Sequence, residues 1–181
     1  MMKANKILPP VRFCDKRVLI SRILVVLLML ANLTFVWFNS AQTADDSTEI
    51  SRSVTRSVAP HVIDGYNKLS DKEKEAKVKE LNPKMRCIAH SLEYVPLGIL
   101  LFLLMLSVFE TGKKLKTENS VALLLLSLLL AFLFALTDEI HQIFVDGRSF
   151  EMKDIGLDML GMAVGYVLAV LSFKVYKLCR K

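Results

Sequence analysis

Four long apolar runs, at residues 18–38, 88–109, 120–142 and 155–173, constrain this chain more than any other feature. Each approaches the roughly 20 residues a helix needs to cross a hydrocarbon core of about 30 Å. A bilayer interior admits only backbones that satisfy their own hydrogen bonds, and continuous apolar runs of this length do so as helices. The expected fold is all-α. It is a four-transmembrane-helix bundle in one domain over residues 1–181, with a long, partly helical, amphipathic outer loop at 39–87 between spans one and two.

That loop has its own pattern. Ser70-Asp-Lys-Glu73 fits a capping box, in which Ser70 receives backbone donors and Glu73 reaches back. A short charged helix over about 71–81 should follow and stop near Asn82-Pro83. Upstream, Ile50, Val54 and Val58 recur every four residues, and Val62, Ile63, Tyr66 and Leu69 continue at helical spacing. Both stretches read as amphipathic helices lying on the membrane surface. A solvated loop is the alternative. In the second span, Pro96 would break a soluble helix, but membrane helices tolerate it.

The net charge is +6, and the basic residues flank the apolar runs instead of forming a nucleic-acid patch. Lys3, Lys6, Arg12, Lys16 and Arg17 precede span one, with Pro9-Pro10 excluding a helix at that point. Lys113, Lys114 and Lys116 lie between spans two and three, and Lys174, Lys177, Arg180 and Lys181 follow span four. The positive-inside rule puts these three segments, and so both termini, in the cytoplasm. The outer loop holds nine basic residues and eight acids, which opposes this orientation, but the three short segments agree. Span one exceeds a signal peptide's apolar core and lacks a clean cleavage site, so a retained span is expected. Cys14, Cys87 and Cys179 form no CxxC and read as ordinary thiols.

In this topology the polar groups converge on one side. Ser40 and Gln42 leave the outer end of span one. His90 and Glu93 open span two. Asp138, Glu139, His141 and Gln142 close span three. Arg148 lies in the outer loop, and Asp154 and Asp158 open span four. His90 and Glu93 share a face at i, i+3. Asp138 faces His141 and Gln142 at i+3 and i+4, and Asp154 faces Asp158 at i+4. Polar residues gather at helix ends near water, which accounts for Glu139 and Asp154. Apolar residues flank His90, Glu93, Asp138 and Asp158, and an ionisable group so placed in a membrane helix points to function.

The candidate acid–base groups are His90, Glu93, Asp138, Glu139 and His141. The candidate binding groups are Gln42, Gln142, Arg148, Asp154 and Asp158. Two histidines among carboxylates also suit a divalent metal, but HExxH is absent and Glu139 and His141 fall on different helix faces. No metal and no cofactor is assigned. Arg148 would pair with carboxylates or fork onto an anionic lipid headgroup. An Arg–Asp and His–Glu network that merely locks the helices is the structural alternative. No Ser/His/Asp or Cys/His nucleophile arrangement is evident. Gly156, Gly161 and Gly165 fall near one stripe of span four, and Gly161-Met-Ala-Val-Gly165 is a GxxxG. It reads as intramolecular packing first and homo-oligomerisation through span four second.

At these residues the chain resembles the VanZ-like family of small bacterial membrane proteins. The resemblance rests on Trp37-Phe-Asn-Ser-Ala-Gln42, Ala89-His-Ser-Leu-Glu-Tyr94 and Thr137-Asp-Glu-Ile-His-Gln-Ile-Phe144. It continues through Gly147-Arg148, Lys153-Asp154, Asp158, Gly161 and Gly165. Asp146 stands where a proline is usual, a change expected to loosen that turn, and Asn39 and Ala41 vary the Ser-rich end of span one. The resemblance implies an envelope protein of the cell membrane, and the family's namesake is associated with teicoplanin resistance. It supplies no reaction. The first expectation is a protein that binds membrane lipid, a lipoglycopeptide or a lipid-linked wall precursor at an outward-facing polar site and alters glycopeptide susceptibility. The alternative is an integral-membrane enzyme acting on a lipid-linked substrate by acid–base chemistry. Nucleic acid is not an expected partner. A transporter is disfavoured, because four spans are few and no polar path reaches the inner side.

Overall fold

The computed structural model describes residues 16–110 and 117–179. The Pro9-Pro10 pair, Cys14, the Lys113–Lys116 segment and the last two basic residues lie outside them. The elements are α1 (Lys16–Ser40), α2 (Ala44–Val62), a 3-10 turn at Tyr66–Lys68, α3 (Asp71–Glu110), α4 (Thr117–Gln142) and α5 (Met152–Cys179). The architecture is all-helical. The four helices α1, α3, α4 and α5 are long and apolar enough to cross a membrane, which makes the chain a multi-pass membrane protein.

The apolar side chains mostly point outward, as they must when the solvent is lipid. Phe38 is 73% exposed, and Leu24, Leu30, Leu125, Leu129 and Val167 are about half exposed or more. Lipid tails remove any hydrophobic drive for helix association, so close packing and hydrogen bonds have to hold the bundle. The most extensive contact is between α3 and α5. Glycine makes it possible. A Cβ at Gly161 would overlap the Ser91 carbonyl oxygen, one at Gly165 that of Val95, and one at Gly98 that of Met162. Ser91 Oγ also donates to the Leu157 carbonyl at 2.9 Å. The GxxxG stripe is therefore covered by α3 within the chain, and Gly156, with nothing within 4 Å, has no part in it. Tyr94, Leu97, Leu101, Ala135, Ile155 and Met162 form the buried core around this pair.

The outer loop departs from expectation in two places. The Ser70–Glu73 capping box forms, with Ser70 N donating to Glu73 Oε2 at 2.8 Å and Glu73 N to Ser70 Oγ at 3.4 Å. However, the helix it starts does not stop at Asn82-Pro83. It runs unbroken through Pro83 and Pro96 to Glu110, about 60 Å at 1.5 Å per residue. Pro83 removes one backbone donor, yet tertiary packing holds the turns that lead into it. Val78 is buried with Ala59 and Tyr66, and Thr55 Oγ1 of α2 donates to the buried Asn82 Oδ1 at 3.0 Å.

The second departure concerns the amphipathic stretches. The first is helical, capped by Thr43, whose Oγ1 accepts from Asp46 N at 3.2 Å. Its protein-facing stripe is Thr55 and Ala59, one residue round from the Ile50, Val54 and Val58 stripe expected to face the membrane surface. Small residues let α2 lie close on α3 and leave Ile50 and Val54 exposed. The second stretch is not a regular helix. Gly65, at φ +71°, turns the chain after Val62, and Ile63, Tyr66 and Leu69 pack from that turn against α3.

Gly161→Ala and Gly165→Ala are expected to destabilise the folded protein by about 1–3 kcal/mol each, because rigid backbone leaves the methyl nowhere to go. Gly156→Ala should be neutral or stabilising by up to about 1 kcal/mol. Thermal unfolding of the three purified variants in one detergent, followed by size-exclusion profile, checks the order.

Candidate functional site

The inter-helix register fixed by the glycines brings the polar ends together. Gly161 lies against Ser91, so neighbouring His90 faces the residues before Gly161 on α5. His90 Nδ1 is 3.7 Å from Asp158 Oδ1, and its Nε2 is 3.9 Å from Asp154 Oδ2. One imidazole thus bridges the two aspartates that the i, i+4 spacing had put on one face. Asp158 is fully buried.

A second group closes into a ring. Ser40 Oγ donates to Asp138 Oδ2 at 2.8 Å, and Gln142 Nε2 donates to the same oxygen at 3.2 Å. Arg148 Nη1 donates to Gln142 Oε1 at 3.3 Å, and Arg148 Nε to the Gln42 carbonyl at 3.4 Å. The ring therefore leaves α1 at Ser40 and returns to the chain at Gln42, two residues past the helix end. Gln42 contributes main chain to this ring. Beside the ring, Asn39 Nδ2 donates to Glu93 Oε1 at 3.0 Å.

Two expected members have other partners. Glu139 is fully buried but accepts, through Oε2, from the backbone N–H of Glu151 at 2.7 Å. It clamps the α4–α5 loop. His141 stacks its ring on Trp37, with centroids 4.8 Å apart and planes at 12°. The different helix faces of Glu139 and His141 account for the split. The turn before Arg148 is closed despite Asp146. Arg148 N donates to the Val145 carbonyl, Gly147 takes φ +73°, and the Asp146 carbonyl accepts from Ala44 N.

Acceptor capacity exceeds the donors supplied. Asp138 Oδ1, Glu139 Oε1 and both Asp158 oxygens make no hydrogen bond among the described residues. Among the described residues no group of three or more His, Cys, Asp or Glu is arranged to hold a metal ion. Arg148 lies in the loop, half-buried. Burial presses its pKa below the ordinary arginine value, and the positive charge of Arg86 presses the same way. A guanidinium keeps its proton under such pressure.

A cavity of about 350 Å³ opens beside these groups, between the end of α1, α2 and α3. Asn39, His90, Glu93 and Arg148 are its polar lining, and Ile50, Val54, Ile88 and Leu92 its apolar lining. Arg86 also lines it. Sequence reasoning passed over Arg86 and Asn39, although Arg86, His90 and Glu93 stand at i, i+4 and i+7 on one helix face.

The fold and the site define a four-span membrane protein with a polar cluster and an adjoining amphipathic cavity at one end of its bundle. Residues 23–173 match the VanZ/LLP1 family model, and the chain belongs to that family. No curated protein and no solved structure matches the chain.

Glu139→Ala removes the acceptor that holds the Glu151 amide. Amide exchange at Glu151 is expected to rise about tenfold or more, as for loss of a hydrogen bond to a charged group worth about 1.5–3 kcal/mol. Exchange across α2 should stay unchanged. Hydrogen-exchange mass spectrometry of the detergent-solubilised protein reads both.

Proposed function

We propose that the protein binds an amphiphilic envelope molecule in this cavity, on the outer side of the cell membrane, and thereby alters susceptibility to teicoplanin-type glycopeptides. The ligand is a lipid, a lipoglycopeptide or a lipid-linked wall precursor. The observation that carries this reading is the cavity's mixed lining: His90, Glu93 and Arg148 together with Ile50, Val54 and Leu92. Ligand sites combine apolar walls with a few polar groups that fix orientation, and this lining has that form. The association of the family's namesake with teicoplanin supports the drug class. The basic flanks of the spans support an outer site with both termini in the cytoplasm.

The His90–Asp154–Asp158 arrangement beside Glu93 favours a second reading, acid–base chemistry on a lipid-linked substrate. Glu93→Gln separates the two. It keeps the acceptor for Asn39 while removing a proton-transfer group, so an enzyme retains ligand and loses turnover.

A deletion host complemented with wild type, Glu93→Gln, Asp138→Asn or Arg148→Ala, at matched membrane levels, tests the site. Wild type is expected to restore protection against teicoplanin-type drugs, and each variant to lose most of it. Full protection by all three would reduce the cluster to a structural network.

Orientation has its own test. In a cysteine-free background, a membrane-impermeant maleimide applied to intact cells is expected to label Ser149→Cys and spare Lys114→Cys. The reverse pattern would put the cavity on the cytoplasmic side and remove an outer-face mechanism.

A further inference from the structure

Two guanidinium groups line the cavity, and only one belongs to the polar ring. Arg148 is braced by Gln142 and the Gln42 carbonyl. Arg86, on α3, makes no hydrogen bond or ion pair among the described residues, and neither guanidinium is ion-paired. Two like charges on one small cavity repel, and an anion between them reverses the sign of that interaction. The positive charge of Arg86 presses the Arg148 pKa down with burial, against the opposite pull of Asp138, Asp154 and Glu139. Those carboxylates offset part of the charge but do not stand at the cavity wall. Asp138, Glu139 and Asp158 are buried behind it, and Glu93 is the one carboxylate among the lining residues.

The rest of the lining identifies what carries the anion. Ile50, Val54, Ile88 and Leu92 border the cavity from α2 and α3, and each is at least half exposed, with Leu92 at 61%. Leu92 and Ile88 continue directly into the membrane-crossing part of α3. A soluble anion would use the two arginines and leave this apolar border idle. A lipid uses both.

We infer that Arg86 and Arg148 together grip the phosphate of a membrane lipid, whose chain leaves the cavity between α2 and α3 along Ile50, Val54 and Leu92. This rests on the ligand-binding reading above and names its ligand class: a lipid phosphate. Guanidinium forks suit phosphate oxygens because they donate in pairs with fixed geometry. Glu93, steadied by Asn39, is placed to accept from a hydroxyl or ammonium group on the same headgroup.

Binding to the full-length protein in an uncharged detergent tests this, with three competitors against a fluorescent-acyl phosphatidic acid. Unlabelled phosphatidic acid should compete at least tenfold better than diacylglycerol of the same chains, which lacks the phosphate. It should also compete at least tenfold better than glycerol 3-phosphate, which lacks the chains. Arg86→Gln should weaken binding about tenfold or more, and Arg86→Lys by less. Lys72→Gln, an exposed residue away from the cavity, should have no effect. Arg86 makes no hydrogen bond or ion pair among the described residues, only a longer-range attraction to the Glu151 carboxylate, so its variants report on ligand far more than on folding. Equal competition by diacylglycerol would overturn the phosphate assignment. Equal competition by glycerol 3-phosphate would overturn the lipid assignment. Unchanged affinity in Arg86→Gln would overturn the paired grip. If any of these occurred while Glu93→Gln still abolished drug protection, the phosphate-lipid inference would fall and the broader ligand-binding reading would stand.

Discussion

The backbone-to-backbone approach of α3 and α5 is the constraint from which the rest follows. In a lipid environment two helices gain nothing from hiding leucines, so the pair is held by short-range contact, which needs glycine at the crossing. Gly98, Gly161 and Gly165 supply it from both helices. Once Gly161 sits on Ser91, the register is set. His90 has to meet Asp158 and Asp154, which lie less than one turn and about two turns further along α5. The core of Tyr94, Leu97 and Met162 is buried by the same approach. The polar cluster is therefore a consequence of the packing, one turn beyond it.

The other two spans are joined to this pair differently. α1 rests mainly on α3, and α4 mainly on α5, while α1 and α4 have much less direct contact. At their polar ends the ring of Ser40, Asp138, Gln142, Arg148 and Gln42 bridges them. These hydrogen bonds add to the Trp37–His141 stack between the same two helices. The cavity lies beside the ring, bordered by the end of α1, α2, α3 and Arg148.

The spans were legible because their signal is long and continuous, and the depth of each polar residue follows from its distance to the end of a run. That is why His90, Glu93, Asp138, Gln142, Arg148, Asp154 and Asp158 were recognisable as one set. Partner choice was not legible. The sequence sets Glu139 apart from Asp138 only as a helix-end residue; that one holds a loop amide and the other joins the ring depends on the neighbouring elements each meets. The end of a helix at Pro83 was a sound local inference that a remote contact overrode, since Thr55 and Asn82 lie 27 residues apart. On α2 the apolar stripe was legible and the packing stripe was not. Large apolar residues mark its exposed face, whereas the face that meets protein is marked by small ones, Thr55 and Ala59.

This inversion bears on how the site has to be read. In a soluble domain, exposed Ile50, Val54 and Leu92 would be an anomaly that called for a protein partner. In a membrane protein, exposure of that kind is ordinary along the spans, where lipid covers it. What is unusual is exposure that continues across a helix boundary onto α2, which is not itself among the membrane-crossing helices, and borders a cavity with charged walls. Charge and apolar surface meet there at one level. Arg86 and Glu93 are separated on α3 by about 10 Å of helix rise, at 1.5 Å per residue. Ile88 and Leu92 are interleaved with them. A molecule that satisfies this surface must itself present polar and apolar groups within about the same distance, as a lipid does at its headgroup boundary.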